Sequence, residues 1–154
     1  MTAATKDDFI GTWVLVSCEH RLDDGSKTYP LGPRTKGLLV YTAEGYMTGA
    51  LMDPDRKSFK KGDLFGGTDE EKAMAATGYV HYAGKFEVEP TRVLHHVEIS
   101  LFPNWVGSIQ QRFYRFYDGD KLDLHTNVFV SQGVRQSAHL IWRRAVPQVP
   151  LARS

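Results

Sequence analysis

Apolar and polar residues alternate with a period of two through most of the chain, the pattern of strands that bury one face. From Gly11 to Leu22 the alternation sets Trp13, Leu15 and Ser17 on one face and Val14, Val16 and Cys18 on the other. Glu19 falls in phase with Trp13. Asp23-Asp24-Gly25-Ser26 is a turn signal, and Tyr29-Pro30-Leu31-Gly32-Pro33 reads as a loop because proline cannot donate to a central ladder. Strands are expected at 37–42 and 46–52 around Ala43-Glu44-Gly45, where Gly45 suits a positive φ. Others are expected at 79–89, 92–101, 108–117, 121–127 and 136–144. One helix interrupts them. Thr68 and Glu71 have capping-box spacing, Asp69-Glu70-Glu71 suits a helix start, Ala73 to Ala76 favour helix, and Gly78 marks its stop. This helix is placed to plug or cover one end of the sheet.

About eight strands joined mostly by short turns form a meander, and a meander of this size removes its open edges by closing. The fold class expected is therefore all-β: a closed antiparallel meander barrel of about eight to ten strands with one inserted short helix. The 154 residues suit one domain over 1–154, with a core at about 9–145 and a loosely held tail at 146–154 that carries two prolines.

Charge changes the picture by exclusion. Nineteen Lys+Arg against eighteen Asp+Glu leave a formal net of +1, so no broad field draws nucleic acid or an anionic membrane. The polar start, Met1 to Asp8, has no apolar signal segment, and no run approaches the length of a membrane helix. Cytoplasm is the expected location, and the lone Cys18 fits a reducing compartment. Composition leaves oligomeric state open, a homodimer included.

Candidate chemistry centres on His95. Val93, His95, Val97, Ile99 and Leu101 share the apolar face of their strand, which in a barrel turns inward and leaves His96 and Glu98 outside. The inverted assignment would instead bring His96 and Glu98 in. On the next strand Gln110, Arg112, Tyr114 and Phe116 share a face; an inward Arg112 needs a partner, and Glu19 is the candidate. His95, Arg112 and Tyr114 are the candidate catalytic groups for proton transfer or oxyanion stabilisation. Glu19, Tyr46, Met52, Tyr82 and Phe86 are candidate pocket residues, as are Asn104 and Trp105 in the loop Phe102-Pro103-Asn104-Trp105-Val106-Gly107. Plain packing competes with each of these readings. No metal is expected, because none of the six histidines has the helical or Cys-paired spacing of a zinc site. Phosphate-loop, nucleophile-elbow and Cys–His patterns are absent, so no cofactor is expected either.

Gly11-Thr12-Trp13 opening the first strand resembles the Gly-x-Trp start of lipocalins and their calycin relatives. That resemblance implies a tryptophan at the barrel floor with an arginine of the last strand stacked on it, here Arg143 or Arg144. Together with Gly37-Leu-Leu-Val-Tyr-Thr-Ala-Glu-Gly-Tyr-Met and His95-His-Val-Glu-Ile-Ser-Leu-Phe-Pro-Asn-Trp-Val-Gly, it is similar to the small bacterial and fungal lipocalin-like domain family, from about Phe9 to Arg144. The family implies a barrel with a small-molecule cavity but no set reaction. Three functions follow as expectations. The first is cofactor-independent acid–base chemistry on an apolar molecule, of isomerase, cyclase or hydratase type. The second is carriage of such a molecule without catalysis. Haem binding through an inward histidine is a distant third.

Overall fold

The computed structural model describes residues 3–150. A short helix, α1 (Lys6–Phe9), leads into β1 (Gly11–Leu22). There follow β2 (Lys27–Thr28), β3 (Lys36–Tyr41), β4 (Tyr46–Met52), α2 (Asp69–Thr77), β5 (Tyr79–Val88) and β6 (Arg92–Ser100). A 3-10 turn (Pro103–Trp105) then precedes β7 (Ile109–Tyr117), β8 (Lys121–His125), β9 (Phe129–Ser131) and β10 (Val134–Arg144). The neighbour order is β1-β3-β4-β5-β6-β7-β8-β10, and β10 returns to pair antiparallel with β1. Eight antiparallel strands thus close a barrel, with β2 and β9 as short additions to β1 and β10. α1, β2 and β9 were not expected, being too short to show a period. Among the described residues no helix is long and apolar enough to cross a membrane.

α2 starts as its capping box requires. The Glu71 backbone N–H donates to Thr68 Oγ1 at 3.1 Å, and the Thr68 N–H donates to the Glu71 carboxylate at 2.9 Å. None of its residues is buried, so it flanks the barrel rather than plugging it. Residues 146–150 are exposed without regular structure, and the rest of the expected tail, 151–154, lies outside the described residues.

Two bulges reset the alternation. The β1–β10 register shifts between Leu15 and Ser17, so Val16 is pushed out and Cys18, not Ser17, turns inward. Burial pushes the Cys18 thiol up to about 11, with the Glu19 charge adding to it, so the thiol stays protonated. Glu19 consequently leaves the phase of Trp13 and sits outside, paired with Arg21 at 2.8 Å and Lys27 at 3.2 Å; it is not the partner of Arg112. The second shift lies between Ala83 and Gly84 against β6. A Cβ on Gly84 would stand 1.8 Å from the His96 carbonyl oxygen, so only glycine lets the strands approach here. Beyond this bulge the inward run ends at Val97, and the expected inward Ile99 and Leu101 are exposed.

One end of the barrel is sealed. Phe9 is wholly buried and packs edge-on against Tyr41, Tyr114 and Phe116. The Trp13 indole N–H donates to the Phe9 carbonyl at 2.9 Å. The Arg144 guanidinium lies 4.3 Å from the Trp13 ring centroid and donates to the carbonyls of Ile10 and Asp8 at 3.0 and 2.5 Å. Arg143, the alternative, is exposed on the outer face. Arg144→Ala should therefore lower stability by roughly 2–3 kcal/mol, from the lost cation–π contact and two charge-assisted hydrogen bonds. Arg143→Ala should stay within about 0.5 kcal/mol of the parent. Urea unfolding measures both, and equal losses would refute the seal.

Candidate functional site

Opposite the seal, the barrel holds a chamber of about 70 Å³. Its apolar wall is Leu39, Leu51, Val80 and Leu124, and Gly49 adds no side chain. Tyr82, His95, Arg112 and Trp142 bring polar atoms to it, and Trp105 stands at the mouth with its ring 5.8 Å from Tyr82. Trp105 and Val80 also line an outer vestibule of about 420 Å³, so these two side chains divide one space from the other. A larger trough of about 880 Å³ lies between the 56–65 loop and α2. It is open to solvent and contains the exposed Leu64 and Phe65, whereas the convergent polar groups belong to the small chamber.

His95 is 1% exposed and spans two phenols. Its Nε2 is 2.7 Å from the Tyr41 hydroxyl, and its Nδ1 is 2.6 Å from the Tyr82 hydroxyl. A neutral imidazole has one donor and one acceptor, so one tyrosine gives a proton to the ring and the other receives one. Burial decides which. Among the described residues Tyr41, 1% exposed, has no other hydrogen-bond partner, so its O–H must donate to Nε2 or be orphaned at a cost of about 1–3 kcal/mol. His95 then carries its proton on Nδ1 and donates it to the Tyr82 oxygen. The Tyr82 hydroxyl hydrogen is left free at the chamber.

The electrostatics agree. Desolvation drives the His95 imidazole down to about 3, with the Arg112 and His96 charges adding to it, so the ring stays neutral. Burial likewise raises both phenols, and the Arg112 charge only partly opposes this. Arg112 donates to the Gln111 carbonyl at 2.7 Å and forms no ion pair among the described residues. The buried Trp142 indole N–H has no partner among the described residues. The side chains that line the chamber include a phenol, a guanidinium and an indole, all of them hydrogen-bond donors, and no carboxylate. Such a lining matches a guest that presents oxygen acceptors.

The lipocalin-like domain family matches residues 10–145. The chain belongs to that family. A 4'-hydroxy-3'-methoxypropiophenone carrier protein of Aspergillus oryzae (strain ATCC 42149 / RIB 40) is 36% identical over 107 residues. The match covers 64% of this chain and 96% of that protein.

In this lipocalin-like barrel the expected site residues separate. Tyr82, His95, Trp105 and Arg112 meet at the chamber, and Phe86 packs beside Tyr41 with ring centroids 4.7 Å apart. Tyr114 does not join them: its hydroxyl donates to the Glu89 carbonyl at 2.7 Å and fixes the turn before β6. Tyr46 is half-exposed near Lys85, Met52 lines an outer groove with Asp53 and Arg56, and Asn104 is exposed. Glu19, as described above, is outside. Sequence reasoning missed Tyr41 and Trp142. Tyr41 is in phase with the inward Leu39, and Trp142 with Leu140, so alternation along β3 and β10 carried the signal. The sequence also suggested no metal ligands, yet Asp123, His125 and His139 come together on the outer face.

His95 makes a pH prediction. The unfolded chain takes up its proton near 6.5, whereas the folded protein excludes it until about 3. Protons therefore favour the unfolded state, and this contribution to stability is lost as pH falls from 6.5 toward 3, by up to about 1.4 kcal/mol per unit. His95→Phe lacks this term, so its stability deficit relative to the parent should shrink as pH falls from 7 to 4. Denaturant unfolding at each pH tests this, and a constant deficit would show that His95 is not held neutral.

Proposed function

We propose that the chain is a carrier of a small aromatic molecule with a carbonyl or phenolic oxygen, held in the chamber by Tyr82, Arg112 and Trp142. The observation that carries this reading is the buried Trp142 N–H, without a partner among the described residues, in a lining that also includes the Tyr82 phenol and the Arg112 guanidinium and no carboxylate. An aryl ketone of the kind named for the Aspergillus oryzae relative has this chemistry: a flat apolar ring with oxygen acceptors at both ends. Transport without turnover is favoured because both His95 nitrogens are engaged and the ring resists protonation near neutral pH. The same engagement argues against His95 as a haem ligand.

Size sets a condition on entry. Drug-sized guests fill pockets of roughly 300–1,000 Å³, well above the 70 Å³ chamber. Trp105 sits on a one-turn 3-10 segment with Gly107 at φ 83° just after it, so it is the wall best placed to turn aside and join chamber to vestibule.

Titration of 4'-hydroxy-3'-methoxypropiophenone against tryptophan fluorescence should saturate at one per chain. Tyr82→Phe should weaken binding about tenfold, the worth of one hydrogen bond. The analogue with a methylene in place of the carbonyl should bind the parent less tightly and lose little further affinity in Tyr82→Phe. Trp105→Ala should speed association. Absence of saturation, or a Tyr82→Phe affinity equal to the parent's for the ketone, would remove the proposal.

A further inference from the structure

Alternation that turns Leu122, Leu124 and Trp142 inward must turn their neighbours outward. Asp123 and His125 are two apart on β8 and so share its outer face, and His139 on β10 stands directly opposite His125 in the register. One ligand atom from each of the three lies within 4.8 Å of the others. None is fully exposed. A run of rings crosses the strands here, because His125 stacks on Phe113 on one side and on His139 on the other, at 5.4 Å in both cases.

We propose that this outer seam of β8 and β10 binds a divalent transition-metal ion of the zinc class, with Asp123, His125 and His139 as its protein ligands. Two imidazoles and one carboxylate are a donor set for zinc, cobalt or nickel, and supply too few oxygens for calcium or magnesium. Three protein ligands leave a fourth tetrahedral position to water. With metal–ligand bonds near 2.0–2.1 Å, tetrahedral ligand atoms stand about 3.3 Å apart; His125 Nδ1 and the Asp123 carboxylate are already 3.4 Å apart, and no pair in the trio exceeds 4.8 Å. The histidine rings lie within 8° of parallel and do not yet aim at one point. Binding one ion therefore requires one ring to turn about χ2, which partly exposed side chains on a strand surface can do.

The surroundings support binding. His139 Nε2 lies 2.9 Å from Ser137 Oγ, an orienting partner of the kind that positions metal-bound histidines. Arg115 lies 3.8 Å from Asp123, largely exposed and resting on the Tyr117 ring at 4.4 Å, so its pairing with the carboxylate is a weak competitor for an ion. Glu19, opposite His139 on β1, is occupied by Arg21 and Lys27 and stays outside the ligand set. The competing account is a cross-strand ladder of stacked rings with no ion, and it makes opposite predictions.

Calorimetric titration of the full, untagged chain with zinc chloride should show one ion per chain with a micromolar dissociation constant. His139→Ala and Asp123→Asn should each weaken it at least tenfold, while His96→Gln, on β6, should leave it unchanged. Circular dichroism checks that each variant folds. The parent protein gives an independent readout: zinc should move the imidazole proton resonances of His125 and His139 and leave those of His95 in place. No saturable binding by the parent, affinity retained in the His125→Ala/His139→Ala double variant, or zinc-sensitive resonances belonging to other histidines would each overturn the assignment.

Discussion

Closure of the sheet through the β1–β10 pairing is the constraint on which everything else in this molecule rests. An eight-stranded barrel has an interior just wide enough for side chains. Once β10 returns to β1, every inward residue must find its place in that narrow space, and water is largely excluded from it. Arg144 over Trp13 and Phe9 beneath Tyr41 seal one end. Any polar group left inside must therefore be satisfied by another protein group or by a guest.

His95 shows the first solution and Trp142 the second. His95, wholly enclosed, uses both nitrogens on Tyr41 and Tyr82, and desolvation keeps it neutral. The chain of hydrogen bonds has a direction, because of the two tyrosines Tyr82 lines the chamber and Tyr41 does not. Burial of Tyr41 at one end thereby fixes which proton Tyr82 can present at the other. Trp142 has no such partner. A donor left unpaired in an apolar wall carries a standing cost of about 1–3 kcal/mol, which an oxygen acceptor placed beside it would relieve. On the proposed function, selectivity for acceptor-bearing guests would arise from what the wall lacks as much as from what it contains.

Alternation alone made most of the architecture legible. The barrel, its long strands and the capped helix after Thr68 follow from period two and turn chemistry, whereas the pattern left open which face of β6 and β7 turns inward, and the structure turns in the one that bears His95 and Arg112. The misplacements share one cause. At Val16 in β1 and at Glu98 in β6, opposite the Ala83–Gly84 step, one extra residue enters a strand, and a shift of one exchanges the faces. Glu19 lies beyond the first bulge, Ile99 and Leu101 beyond the second, and each was placed on the wrong side. Nothing local in Leu15-Val16-Ser17 marks a bulge, since the residue that bulges is an ordinary valine. Tyr114 has the correct face but the wrong depth, because its hydroxyl reaches a turn carbonyl that only the fold brings near. Depth along the barrel axis is set by register between strands, and register is not written in any one of them.

The same limit explains why the outer cluster escaped sequence reading. His125 and His139 are fourteen positions apart, with no spacing that a motif could capture. Their proximity comes from the β8–β10 ladder, which pairs them directly. The ladder that lines up these imidazoles also lines up Leu124 with Leu140 and Leu122 with Trp142 on the inner face. One hydrogen-bonded seam thus sets two surfaces of opposite character, a dry wall and a wet cluster, in alternating residues. Because neighbouring side chains point apart, substitution of His139 removes an outer ligand without touching the chamber, and substitution of Trp142 does the reverse. The two faces can be tested separately although they share a backbone.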